Sequence, residues 1–149
     1  MKKYITLLSL LFISLFNITP INAQEKNERT TSVYFIRHAE KDRSNPDERN
    51  PHLTDQGIQR AEKWAHFFKD IPLDAVYSTN YHRTIETAYP TAQQKGLEVI
   101  NYDPRILDPS PFVNKHKGRT ILIVGHSNTT PQFANDILGE EKYPEINDD

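Results

Sequence analysis

Four side chains stand out for the chemistry they could do together. Arg37 and His38 follow the apolar run Ser32-Val33-Tyr34-Phe35-Ile36, Arg83 sits in Thr79-Asn80-Tyr81-His82-Arg83-Thr84, and His126 follows Thr120-Ile121-Leu122-Ile123-Val124-Gly125. Arginine is a permanent cation whose planar fork suits phosphate oxygens. Histidine can attack as a nucleophile, or donate to oxygen when protonated. Gathered at one mouth, the four would strongly favour a dianionic phosphoryl group and stabilise its charge during transfer, which is mostly a matter of position and electrostatics. His38 would have to be unprotonated at its attacking nitrogen while His126 serves best as a cation, so such a pocket must hold two imidazoles in different states. The remaining part is a proton donor for a departing alcohol, a task for a carboxyl group that stays protonated.

The elements that must position these groups are legible as alternating periods. Residues 32–36 read as a buried strand, as do 73–78, 97–100 and 120–124, the last being the strongest in the chain. Thr54 is a good helix N-cap, followed by a stripe of Ile58, Ala61, Trp64, Ala65 and Phe68. A second helix is expected over 81–95 with Gly96 as its stop and a kink or break at Pro90, and a last one over 130–138. Residues 41–52 and 101–117 read as loop. Strands alternating with helices predict an α/β domain, a three-layer α/β/α sandwich with a mostly parallel central sheet. Ligands of such sheets bind beyond the carboxyl ends of the strands, where Arg37-His38, Thr79 to Arg83 and Gly125-His126 all fall.

The chain of 149 residues has room for one domain. It begins with Lys2 and Lys3, then an apolar run over 5–16, then Ile21-Asn22-Ala23 before Gln24, the pattern of a secretory signal peptide. The run is shorter than the roughly 20 residues that span a bilayer, so no stable membrane anchor is expected. The reading is a signal over 1–23 and a mature chain over 24–149, periplasmic or secreted. Cleavage removes Lys2 and Lys3 and takes the formal charge from −2 to −4, with no basic excess for nucleic acid. No cysteine is present, which excludes disulfides, thiolate metal sites and thiol catalysis. None of the six histidines pairs with another at i, i+4, no cysteine is present, and the arginines beside the histidines would repel a dication, so no metal site and no cofactor is expected in the chain.

These motifs together resemble the histidine phosphatase superfamily, the phosphoglycerate mutase-like clan. Arg37-His38-Ala39-Glu40 is similar to its Arg-His-Gly/Ala motif, Leu53-Thr54-x-x-Gly57-x-x-Arg60-Ala61 to its helix start, Thr79-x-x-x-Arg83-Thr84-x-x-Thr87-Ala88 to its second arginine segment, and Gly125-His126-Ser127-Asn128 to its second histidine motif. The likeness runs from about 32 to 138. It implies a phosphoglycerate mutase-like fold, His38 as the phosphorylated nucleophile, and Arg37, Arg83 and His126 around the phosphate. It also implies an acidic donor in the segment Asp103 to Asp108, with Asp108 the first candidate and Glu40 the second. The chain stops at Asp149, soon after the last helix, where relatives commonly continue into another strand.

The expected activity is hydrolysis of small phosphomonoesters through a phosphohistidine on His38. The alternatives are a phosphohistidine or phosphoprotein phosphatase, and a non-catalytic phosphate-binding module of the same fold. Loops 40–52 and 101–117 would set specificity. His52, His66, His82 and His116 read as structural or simply exposed, with His82 close enough in sequence to Arg83 to border the pocket. Gly57 reads as a packing residue, and Trp64, Phe67 and Phe68 as core.

Overall fold

A computed structural model of the chain describes residues 29–147, so the expected signal over 1–23 lies outside the described residues. Four strands, β1 (Ser32–Arg37), β2 (Ala75–Thr79), β3 (Val99–Tyr102) and β4 (Thr120–Gly125), alternate with α1 (Asp55–Phe67), α2 (His82–Lys95), α3 (Pro109–Lys115) and α4 (Thr129–Leu138). The sheet order is β1-β4-β2-β3 and every pairing is parallel.

β4 shows why the sheet is covered on both sides. Strand side chains alternate between faces, so an apolar run at both parities needs an apolar layer on each. Leu122 and Val124 pack with Phe68, Ala88 and Ala92 on the α1/α2 side. Ile121 and Ile123 pack with Phe112 and Phe133 on the α3/α4 side. All four β4 residues are fully buried, each worth about 1.5–3 kcal/mol against exposure. This is the three-layer α/β/α sandwich with a parallel central sheet that the sequence implied.

Local details depart from the sequence reading in four places. The first turn of α1 presses Gly57 against the backbone of Glu40, and Ile58 stays exposed although Ala61, Ala65 and Phe68 are buried. Phe67 is also largely exposed, its ring standing edge-to-face with those of Trp64 and Phe68. α2 runs through Pro90 without a break and closes at Gly96, whose left-handed φ of 65° suits glycine. The segment 101–117 holds a helix, α3, where only loop was expected; Asp108 caps it and Pro109 opens it, the favoured place for proline.

The chain after α4 forms no strand within the described residues, and β1 is an edge of the sheet. Instead Ile146 donates its amide to the Ser127 carbonyl at 3.0 Å, folding the segment back toward the strand ends. Asn135, buried in α4, anchors that return by accepting from the amides of Lys142 and Tyr143.

Candidate active site

The carboxyl ends of all four strands open on one cavity of about 900 Å³, whose lining includes His38, Arg83, Tyr102, Asp103 and His126. His38 leaves β1 with its amide donating to the Gly125 carbonyl at 2.9 Å, which fixes it beside the end of β4. Its ring Nδ1 lies 2.7 Å from the Ala39 carbonyl. A carbonyl can only accept, so Nδ1 carries the hydrogen and Nε2 keeps its lone pair. Burial is the main force that lowers the His38 pKa to about 4; the Ala39 carbonyl opposes it, and Arg83, Arg37 and Lys41 reinforce it. At neutral pH this imidazole is therefore uncharged, with the Nε2 lone pair available.

The ring of His126 stands 5.5 Å from that of His38, edge to face. Tyr81, at the N-cap of α2, meets His126 edge-on at 5.0 Å and carries the Arg83 guanidinium 4.5 Å over its ring. One aromatic ring thus orients a histidine and an arginine together. The turn that presents them is locked from beneath: the buried Thr84 hydroxyl reaches the Thr79 carbonyl at 2.8 Å and lies 3.0 Å from the Thr79 hydroxyl. Gly125 is required by close approach, since a Cβ there would lie 2.7 Å from the Thr130 hydroxyl and 3.1 Å from that of Tyr102.

Of the residues singled out in the sequence, the structure brings His38, Arg83 and His126 into the cavity lining. Arg37 is not among the lining residues. It is close enough to help depress the His38 pKa, and its Nη1 donates to the Asn147 carbonyl at 2.5 Å. Asp108 is not among the lining residues. Its carboxylate accepts from the Ser110 amide at 3.0 Å as the cap of α3. Glu40 is gripped by Arg60 through two contacts from Nε at 2.7 and 2.9 Å and a third from Nη2, and the Arg60 bond holds its carboxyl below the usual range.

Sequence reasoning spanned Tyr81, Tyr102 and Asp103 within its candidate segments but singled out none of them. Tyr81 directly precedes α2 and Tyr102 ends β3, so their places after strands were a usable signal. The Tyr102 phenol is pushed up to about 12 by burial, and its hydroxyl has no hydrogen-bond partner among the described residues. Asp103 lines the cavity but is held by Arg105 at 2.9 and 2.6 Å, and these bonds bring its carboxyl down to about 2.

Comparison with known proteins agrees with this geometry. Residues 33–107, half of the chain, match the family model of the histidine phosphatase superfamily (branch 1). No curated protein sequence matches the chain. Among solved structures, YhfR of Bacillus stearothermophilus superposes with a TM-score of 0.63 at 18% identity, covering 78% of this chain and 86% of that one. A phosphoserine phosphatase of Entamoeba histolytica, solved with 3-phosphoglyceric acid, gives 0.57 at 19% identity, over 75% and 82% of the two chains. The protein histidine phosphatase SixA, complexed with tungstate, gives 0.59 at 14% identity, over 69% and 74%. At these identities the likeness speaks for the fold, while the family model speaks for descent. With a neutral histidine after β1, a second histidine after β4 and an arginine on α2 converging as the motifs require, the chain belongs to the histidine phosphatase superfamily.

Proposed function

We propose that the protein is a metal-independent phosphatase that works through a phosphohistidine on His38. The observation that carries this is the His38 imidazole, with Nδ1 committed to the Ala39 carbonyl and the ring kept neutral beside cations. In the first step Nε2 forms a bond to phosphorus as the bond to the leaving group breaks. Arg83 and Arg37 neutralise the phosphoryl oxygens, and His126 donates to one of them. In the second step the oxygen of water bonds to phosphorus while the Nε2–P bond breaks. The proton of that water passes to the departing phosphate, and Nε2 regains its lone pair. The signal-like segment over 1–23 supports export, and so a substrate met outside the cytoplasm.

A specific observation favours a narrower class of leaving group. Glu40 and Asp103 are ion-paired to Arg60 and Arg105 with lowered pKa values, and Asp108 caps α3 away from the cavity lining. Asp103 lies in the cavity lining but is ionised, and Glu40 and Asp108 are not among the lining residues. Groups that depart without help, such as aryl phosphates or the protonated nitrogen of a phosphoramidate including phosphohistidine, therefore suit this pocket better than simple alkyl phosphates.

The test is release of phosphate from p-nitrophenyl phosphate and from an alkyl phosphate, with excess EDTA, beside a His38→Ala control. Activity on the aryl ester that resists EDTA and vanishes in the variant is expected. Activity retained by His38→Ala would overturn the mechanism, and equal rates on both esters would overturn the leaving-group argument. Folded protein that binds vanadate without turning over either ester would move the reading to a binding module.

A further inference from the structure

A second cluster of chemically capable side chains lies outside the catalytic cavity. His52, in the loop between β1 and α1, and His82 and Glu86, four residues apart on the first turns of α2, each offer a ligand atom within 4.8 Å of the others. Glu86 is already positioned: one carboxylate oxygen accepts from the Leu53 amide at 2.8 Å and the other meets His52 Nδ1. The Asn50 side chain accepts from the His82 amide at 2.9 Å, and Lys41 bridges Leu53 across the base of the loop. Two imidazoles and a carboxylate are thus held on anchored backbone, and their neighbours oppose their scattering.

The surroundings suit a cation. A separate cavity of about 330 Å³ beside the cluster is lined by Asp42, Glu48, Asn50, His52 and His82 among others, with no lysine or arginine in its lining. It shares no lining residue with the catalytic cavity. Here the charge balance is the reverse of that around His38. The two imidazoles stack at 4.1 Å with their planes 14° apart. Parallel rings cannot both aim an in-plane lone pair at one ion, so binding requires one ring to tilt; both side chains are exposed and have room to do so.

We propose that His52, His82 and Glu86 form a binding site for zinc or a chemically similar divalent transition ion. Imidazole nitrogens together with one carboxylate are a ligand set that selects such ions over magnesium or calcium, which favour oxygen donors. Three protein ligands leave a fourth position for water. The ion would tie the loop over 42–52 to the helix turn that carries Arg83, the residue next to His82, and so stiffen one rim of the phosphate pocket without entering it.

The experiment is calorimetric titration of zinc chloride into the untagged, EDTA-stripped full chain, with the imidazole nitrogen resonances of His52 and His82 followed by NMR. About one equivalent should bind with both resonances shifting, binding should be lost in a His52→Ala/His82→Ala double variant, and Glu86→Gln should weaken it by about tenfold or more. Both histidines are exposed, so the double variant is expected to keep its fold, checked by circular dichroism. Absence of binding overturns the proposal, and so does unchanged affinity in the double variant, which would place the ion elsewhere, for instance at His38 and His126. Because the readouts are binding and resonance shifts, the result stands apart from whether His38 is a nucleophile.

Discussion

The amide of Ala39 donates to the hydroxyl of Thr87 at 2.9 Å, and that hydroxyl in turn donates to the Arg83 carbonyl at 2.6 Å. Thr87 is fully buried. One side chain therefore couples the residue after His38 to the helix turn that presents Arg83, and it does so without reaching the cavity lining.

Thr87→Val keeps the shape and removes the hydroxyl, leaving the Ala39 amide without its partner in the core. An unsatisfied buried amide costs about 1–3 kcal/mol, so a lower denaturation midpoint is expected. Since Thr87 only positions others, kcat/KM should fall by about tenfold, the size of a small misplacement of reacting groups. Thr87→Ser, which restores the hydroxyl, should recover most of the activity. Loss of stability with unchanged kinetics in the valine variant would reduce Thr87 to a packing residue.

His38 makes a pH prediction whose sign follows from proton counting. Burial lowers its pKa to about 4 in the folded chain from the ordinary 6.5. Between those values the unfolded chain binds more protons at this position than the folded one, so stability rises with pH across the window. The contribution is fully present above pH 6.5 and is lost as pH falls toward 4. Denaturant unfolding from pH 4 to 7 should show His38→Ala with a shallower acid loss than the parent. The acid limb of kcat/KM should lie near pH 4, not near 6.5, because the free enzyme keeps Nε2 unprotonated until then. An acid limb at the ordinary histidine value would contradict the neutral, buried nucleophile.

Much of this arrangement was legible in the sequence because it rests on strong local signals. The β4 run is apolar at both parities and ends in Gly125-His126, which shows a central strand with a polar terminus. Thr54 is a cap with Gly57 three residues on, and the structure uses both as such. What was not legible depends on contacts distant in sequence. Which of Asp103 and Asp108 lines the cavity is set by how β3 and α3 pack: Asp103 stands one residue past the end of β3, while Asp108 opens a short helix through a purely local bond to Ser110. Likewise the pairing of His52 with Glu86 joins a loop to a helix 34 residues away, and no periodicity encodes it.

Gly57 gives a prediction about the first turn of α1. A Cβ at this position would lie 2.3 Å from the Glu40 carbonyl oxygen and 3.1 Å from the Glu40 carbonyl carbon and nitrogen. Those atoms are backbone and cannot rotate away, and Thr54 already donates its amide to the same carbonyl at 2.9 Å. Gly57→Ala must therefore push the helix off the segment that follows His38. An overpacking cost of about 1–3 kcal/mol is expected, although alanine is the better helix former. Urea unfolding would measure it; a variant as stable as the parent would mean that the approach relaxes without cost.

The proton-donor question can be decided with two carboxylates. Asp108 caps α3, and asparagine caps about as well, so Asp108→Asn should leave stability nearly unchanged while Asp108→Ala costs about 1 kcal/mol. If Asp108 is only a cap, Asp108→Asn keeps kcat/KM within about twofold on aryl and alkyl phosphates alike, since a general acid would instead be worth about 100-fold or more on the poorer leaving group. Asp103→Asn releases Arg105 beside the cavity and replaces a carboxylate that is ionised throughout the neutral range. Removing that negative charge should lower KM for a dianionic substrate, with the gain shrinking as salt rises. A large loss on the alkyl ester alone in Asp108→Asn would instead restore Asp108 as the acid and require α3 to move toward the cavity when substrate binds.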